Sequence, residues 1–217
     1  MTRRDQLATA LAKIHREVPA HATLIVVTKT FPASDALLLY ELGERNFGEN
    51  RDSEGAEKSA ALPDDAIWHF QGAIQSKKIR SIVSWADYIH SLDSLEHATK
   101  IDAAARDLEK VQRVFIQINL DLELRENRSG IALDDLTSFE TELRSLSNIE
   151  VVGVMGIAPL GEDPAPAFAR LAELSSQLRK SLPGASAISA GMSGDFQIAL
   201  GYGATHLRIG SSILGSR

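Results

Sequence analysis

The chain alternates short runs of β-branched and aromatic residues with longer segments of helical periodicity. Such alternation is typical of repeated βα units around a parallel sheet. Eight units in 217 residues predict a closed (β/α)₈ barrel, within the lower size range of that fold. The predicted strands are Leu24–Thr28, Arg45–Phe47, Ile67–Phe70, Tyr88–Ser91, Val111–Leu120, Glu150–Met155, Ala185–Ser189 and His206–Ile209.

The same pattern bears on the domain organisation. An amphipathic segment from about Asp5 to Glu17 predicts an extra helix before the first strand. No linker, low-complexity segment or internal repeat divides the sequence, so residues 1–217 are predicted to form a single α/β barrel domain. The structural alternative is an open doubly wound sheet, which usually carries a glycine-rich phosphate turn after its first strand. Thr28–Pro32 is not such a turn, which favours the barrel.

Composition argues against several classes of function. The sequence contains no cysteine, which excludes disulfides, thiolate metal sites and cysteine nucleophiles and favours a reducing cytoplasm. The net charge of −6 argues against general nucleic-acid binding. Apolar runs such as Leu24–Val27 are far shorter than a membrane span, and no two histidines have the spacing of a metal site. We therefore expect a cytoplasmic protein with no nucleic-acid, membrane or metal partner.

The residues that follow the predicted strands are the candidates for function, because the carboxyl ends of all strands in a parallel barrel meet at one mouth. They form a polar, glycine-rich ring with one lysine from an early strand. His69 and His90 are expected at inward or strand-end positions as hydrogen-bonded polar groups. The ring comprises Lys29, Asn50, Gln71–Gly72, Ser91, Asn119, Met155–Gly156, Met192–Ser193 and Arg208–Ser211.

Lys29 is the candidate for covalent chemistry. It follows four apolar residues, Leu24–Val27, on a strand expected to be buried on both faces. Partial desolvation at the mouth would disfavour its ammonium form and supply the neutral amine that carbonyl condensation needs. A lysine that simply extends into solvent at the end of a strand explains the position equally well.

The last two strands are followed by loops suited to an anion. Ser189–Asp195 and Arg208–Ser212 supply small residues, hydroxyls and backbone N–H groups. Barrel phosphate sites are often built from the loops after strands seven and eight. Ordinary helix caps would account for either loop alone, whereas the two together favour a phosphate site opposite Lys29.

At these residues the sequence resembles the cytoplasmic pyridoxal 5′-phosphate (PLP)-binding proteins of the YggS/PROSC type, the PLP homeostasis proteins. The resemblance runs nearly from end to end in ordered blocks with spacing compatible with a barrel. The matching blocks are Val26–Thr30, Phe47–Asn50, Trp68–Lys78, Arg128–Gly130, Val154–Ile157, Gly191–Asp195 and Arg208–Ser211.

The resemblance implies a fold, a cofactor and a role for each site residue. The fold is the barrel of the N-terminal domain of bacterial alanine racemase, PLP fold type III, and the cofactor is PLP. Lys29 matches the lysine that forms the Schiff base, and Ser193, Gly210 and Ser211 match the phosphate-binding loops. Arg208 matches a position facing the cofactor ring, where it would keep the pyridine nitrogen unprotonated. Asn50 matches a polar residue near the ring hydroxyl, and Met192 is placed to cover a ring face.

The sequence also departs from the family pattern. Phe31 stands where relatives usually carry a second lysine, and Arg128 replaces a lysine in the fifth loop. Gln71 replaces a β-branched residue, and Lys77 replaces an asparagine. Phe31 and Arg128 put in doubt a role for auxiliary lysines in releasing or transferring the cofactor.

These features predict a PLP-binding protein of intracellular PLP homeostasis, with no catalytic residues, that stores, delivers or scavenges the cofactor. Alanine racemase needs a second acid/base, a tyrosine from a β-domain, and this sequence ends soon after its eighth unit. Tyr40, Tyr88 and Tyr202 do not stand at obvious replacement positions. Delivery would make PLP-dependent apoenzymes its partners, and a monomer is expected. The alternatives are a PLP-dependent racemase or lyase of low activity, and a barrel in which Lys29 condenses with a sugar phosphate.

Overall fold

The computed structural model describes residues 1–121 and 129–215. Within these residues, eight parallel strands close into a barrel in chain order. Closure occurs at β1, which pairs with β2 on one side and with β8 on the other. The strands are β1 (Thr23–Val27), β2 (Asn46–Glu49), β3 (Ile67–Phe70), β4 (Tyr88–Leu92), β5 (Gln112–Ile118), β6 (Ile149–Gly156), β7 (Ala187–Ser189) and β8 (His206–Ile209).

The described helices surround this barrel. The predicted additional helix is α1, and Thr2 and Asp5 form a reciprocal capping box at its start. The main core lies between sheet and helices and includes Phe47, Trp68 and Leu207. The helices are α1 (Arg3–Glu17), α2 (Ala33–Glu41), α3 (Asp52–Ala61), α4 (Ile79–Trp85), α5 (Leu95–Asp107), α6 (Leu136–Leu143), α7 (Ala165–Ser181), α8 (Phe196–Gly201) and α9 (Ser211–Leu214).

Several boundaries differ from the predicted ones. β1 ends at Val27 instead of Thr28. β2 extends to Glu49, beyond the predicted end at Phe47. β7 is shortened to Ala187–Ser189, because the amide of Ala185 donates to the Leu182 carbonyl and Ala185 thus lies in the preceding turn. These shifts matter at the mouth, where they decide which side chains belong to a strand and which to a turn.

Candidate cofactor-binding site

The carboxyl ends of the strands surround a cavity of about 540 Å³, which lies in the size range of small-molecule sites. Gln71 and Met155 from the predicted ring line it, whereas Gly72, Ser91, Asn119 and Gly156 do not. Arg128 lies outside the described residues. The structure brings all seven predicted site residues to this cavity: Lys29, Asn50, Met192, Ser193, Arg208, Gly210 and Ser211.

Lys29 lies in a turn just beyond β1. The Phe31 amide donates to the Thr28 carbonyl at 3.1 Å, and Thr30 adopts a left-handed conformation with φ of 68°. The Lys29 side chain is exposed at the rim of the cavity. The expected partial desolvation is therefore wrong, because the strand ends two residues earlier and leaves Lys29 on an open turn. Phe31 also lines the cavity. The Arg3 guanidinium lies over the Phe31 ring, with its Cζ atom 5.6 Å from the ring centre.

A buried ion pair anchors this turn from outside the barrel. Lys58 Nζ donates to Glu49 Oε1 at 2.5 Å and to the Thr28 carbonyl at 2.8 Å. Thr28 Oγ1 also donates to Glu49 Oε1, at 2.6 Å. Burial raises the pKa of Glu49, while the hydrogen bonds from Lys58 and Thr28 act in the opposite direction. Sequence reasoning missed this pair, since Lys58 stands in a polar helix and nothing in its local sequence shows that it faces Glu49.

A second tether holds the turn at its next residue. The amide of Thr30 donates to Glu54 Oε2 at 2.7 Å. Glu54 lies one helical turn before Lys58 on α3, so both tethers come from the same helix. The backbone around Lys29 is therefore fixed, while its exposed side chain is left free to reach into the cavity.

The loops after β7 and β8 meet beside the β1 turn. The expected position opposite Lys29 is wrong, because barrel closure pairs β8 with β1. The Ser212 amide donates to Ser193 Oγ at 3.3 Å, and the Met192 amide donates to Asp195 Oδ1 at 2.6 Å. Gly191 has φ of 89°, and a Cβ there would lie 2.8 Å from Phe196 Cα. Only glycine fits that approach without strain. Small residues thus let the two loops present hydroxyls and backbone N–H groups together.

Arg208 projects from β8 into the barrel below these loops. Its guanidinium donates to Ser189 Oγ at 2.7 Å through Nη1 and to the Gly156 carbonyl at 3.0 Å through Nη2. Burial lowers the pKa of Arg208 to about 10, against a smaller opposing effect of Asp195, so the side chain stays charged at neutral pH. A guanidinium has five N–H donors, and these two bonds leave others for the cavity.

A chain of buried polar side chains continues from Arg208 into the barrel. Ser189 Oγ bonds His90 Nδ1 at 2.8 Å, His90 Nε2 bonds His69 Nδ1 at 2.9 Å, and His69 Nε2 bonds Asn46 Oδ1 at 3.1 Å. The expectation that both histidines are satisfied polar groups is confirmed. Their connection to Arg208 was not foreseen, because His90 on β4 and Ser189 on β7 are 99 residues apart in sequence.

The remaining wall is mostly apolar, with one exception. Val27, Met155, Ile157 and Met192 supply apolar surface. Gln71 also lines the cavity, and its Nε2 is buried without a hydrogen-bond partner among the described residues. An unpaired amide donor on a side chain that lines a cavity is suited to a polar group of a ligand. Its signal in the sequence was the departure from a β-branched residue.

Within residues 1–121 and 129–215, no group of three or more His, Asp or Glu side chains is placed to hold a metal ion. No helix in the described part of the chain is long and apolar enough to cross a membrane.

Comparison with known proteins decides the family. A family model described as alanine racemase, N-terminal domain, matches residues 3–217. The chain is 36% identical over 236 residues to the pyridoxal phosphate homeostasis protein of Mycobacterium leprae, covering 99% of this chain and 90% of that protein. It is also 36% identical over 212 residues to the protein of that name from Synechocystis, covering 95% and 96%. The chain belongs to the pyridoxal phosphate homeostasis protein family.

Solved structures support the same conclusion. PipY of Synechococcus elongatus PCC7942 with PLP bound superposes with a TM-score of 0.87 at 33% identity, covering 96% of this chain and all of PipY. Alanine racemase from Clostridium difficile 630 has a TM-score of 0.82 at 18% identity and shows the shared fold, over 98% of this chain and 57% of the racemase. The family and barrel fold predicted from the sequence are thus confirmed.

Proposed function

We propose that this protein binds PLP at the barrel mouth and holds it as a Schiff base on Lys29, for storage, delivery or scavenging of the cofactor. The observation that carries the proposal is one cavity lined by a lysine and, next to it, by the two small-residue loops after β7 and β8. Membership of the pyridoxal phosphate homeostasis family and the PLP-bound structure of PipY support it.

The residues present fit each part of PLP. Bound PLP supplies an aldehyde that condenses with an amine. Ser193, Gly210 and Ser211 would hold the phosphate. Gly210 packs closely against β1, since a Cβ there would lie 3.0 Å from the Val27 carbonyl oxygen. The unpartnered Gln71 Nε2 offers a further donor.

The ring would lie between Lys29 and Arg208, because the aldehyde and the pyridine nitrogen of PLP stand at opposite ring positions. Arg208 would face the pyridine nitrogen, and its positive charge there disfavours protonation of that nitrogen. Asn50 would lie near the ring hydroxyl, and Met192 would cover one face. An unprotonated ring withdraws electrons poorly, which suits holding the cofactor better than using it.

The cavity supports a carrier better than an enzyme. Among the described residues that line it, Lys29 and Arg208 are the only ones with an ionisable side chain. The tyrosines all have other surroundings: Tyr40 bonds Asp65, Tyr88 stacks on His69 at 4.8 Å, and Tyr202 is exposed beyond α8. Racemisation needs a second acid/base, and no tyrosine is among the described residues that line the cavity. A racemase or lyase of low activity is therefore the second candidate. Release from the open mouth would serve PLP-dependent apoenzymes, and the absence of cysteine fits the cytoplasm.

Borohydride reduction of the PLP-loaded protein, followed by peptide mapping, tests the site. The expected result is a single reduced PLP adduct on Lys29. Lys77 and Lys78, exposed after β3, serve as internal controls, and label on either one in place of Lys29 would contradict the assignment. To separate the two functions, α-proton exchange is measured on a panel of amino acids in deuterated water. Exchange at enzyme-like rates would overturn the carrier proposal.

A further inference from the structure

The barrel interior holds one continuous hydrogen-bonded chain that ends at the cofactor cavity. It runs from Asn46 through His69, His90 and Ser189 to Arg208, with successive distances of 3.1, 2.9, 2.8 and 2.7 Å. His69, His90 and Ser189 are fully buried. Bulky branched residues usually fill this space in such barrels, so a buried polar chain here is costly unless every member is satisfied.

The direction of the hydrogen bonds follows from the acceptor at the lower end. Asn46 Oδ1 accepts, so His69 carries its proton on Nε2. His69 Nδ1 then accepts from His90 Nε2, and His90 Nδ1 accepts from the Ser189 hydroxyl. With its own proton committed to His90, Ser189 Oγ presents a lone pair to the Arg208 guanidinium. Both histidines must be neutral in this arrangement.

The surroundings agree with neutral histidines. Burial lowers the pKa of His69 and of His90 well below the usual value. The charge of Arg208 and the rings of His69 and His206 lower the pKa of His90 further. His206 is a close neighbour, because the centres of the His69 and His206 rings are 6.3 Å apart. Its Nδ1 bonds Thr205 Oγ1, so His206 is not a member of the hydrogen-bonded chain. A proton on His90 would turn its acceptor into a donor and set it against the Ser189 hydroxyl.

We propose that His69 and His90, acting through Ser189, are positioning residues that fix the Arg208 guanidinium at the cofactor ring. The inference about the ring rests on the proposed function; the effect on Arg208 does not. Loss of the His90 acceptor frees the Ser189 hydroxyl to rotate, so that its proton competes with the guanidinium. Arg208 then keeps only its bond to the Gly156 carbonyl as a fixed contact.

The test compares His90→Leu, which removes the acceptor, with His90→Asn, whose side-chain oxygen restores one. His206→Leu is the matched control, since it removes a half-buried imidazole next to the chain without breaking it. The first readout is the ¹⁵N spectrum of the cofactor-free protein, for the histidine rings and for the Arg208 guanidinium. The second is the pyridine ¹⁵N resonance and the dissociation constant of added ¹⁵N-labelled PLP.

In the wild-type protein, both histidines are expected as neutral tautomers protonated on Nε2. His90→Leu should shift and broaden the Arg208 resonances, move the pyridine resonance and weaken PLP binding by about 2- to 10-fold, the range of one hydrogen bond. His90→Asn should recover much of the change, and His206→Leu should leave both resonances near their wild-type positions.

Two results would overturn the positioning role: unchanged Arg208 resonances in His90→Leu, or an equal shift in His206→Leu. Failure of the proposed function looks different. A wild-type protein that binds no PLP, together with displaced Arg208 resonances in His90→Leu, would refute the cofactor assignment and leave the positioning role standing. Circular dichroism of each variant establishes that it is folded.

Discussion

Replacing Gln71 by methionine should raise the stability of the cofactor-free protein and lower its affinity for PLP. The Gln71 amide nitrogen is buried without a partner among the described residues, and it lies so near Gly48 that a Cβ there would approach it to 2.8 Å. A buried donor without a partner costs about 1–3 kcal/mol. Methionine keeps the length and volume of the side chain and removes this cost. A gain of about 1 kcal/mol raises the melting temperature by about 2–4 °C in a domain of this size.

The effect on PLP has the opposite sign. If the amide donates to the bound cofactor, its loss removes about 0.5–1.5 kcal/mol of binding free energy, or about 2- to 10-fold in the dissociation constant. Thermal unfolding without PLP gives the first quantity, and absorbance titration with PLP gives the second. Gln75→Met, the same change at an exposed position, should alter neither. A lower melting temperature with unchanged affinity would refute the reasoning. It would mean that the amide is hydrogen-bonded in the cofactor-free protein and makes no hydrogen bond to PLP.

Three further predictions concern Lys29, the ion pair of Lys58 with Glu49, and His206. Lys29→Ala should lose the yellow absorbance of the Schiff base yet retain weaker PLP binding through the phosphate loops; total loss of binding by equilibrium dialysis would show that those loops contribute less than proposed. Lys58→Met should lower the free energy of unfolding, measured in urea, by about 3–5 kcal/mol, because it leaves the buried Glu49 carboxylate without its cation. Adding Glu49→Met should restore part of that free energy, and a double variant that loses the sum of the two single losses would contradict this. Burial lowers the pKa of His206 to about 4, so the unfolded chain binds a proton that the folded chain does not between about pH 6.5 and pH 4. Stability should therefore fall on acidification through that window, by about 1.4 kcal/mol per pH unit for this group, and His206→Asn should flatten the urea-derived slope accordingly.

The order of elements and seven of the cavity-lining residues could be predicted from the sequence. Alternating periodicity is a local property, and it located the strands to within a few residues. Parallel closure brings every strand end to one mouth, so a residue's place in the chain was enough to put Lys29, Ser193 and Arg208 around one cavity. Motif resemblance then supplied the ligand, which neither periodicity nor spacing could name.

The tertiary structure decided which side of the sheet each side chain faces and which distant groups meet. The end of β1 at Val27 placed Lys29 on an exposed turn, a difference of one residue that periodicity does not resolve. Glu49 faces the helices and is neutralised by Lys58, whereas Asn46 and His69 face the barrel interior and bond each other. His90 and Ser189 are 99 residues apart, so their contact depends on barrel closure. Local sequence determines an element because its causes are local; a buried polar partner is set by register and closure, which no short segment contains.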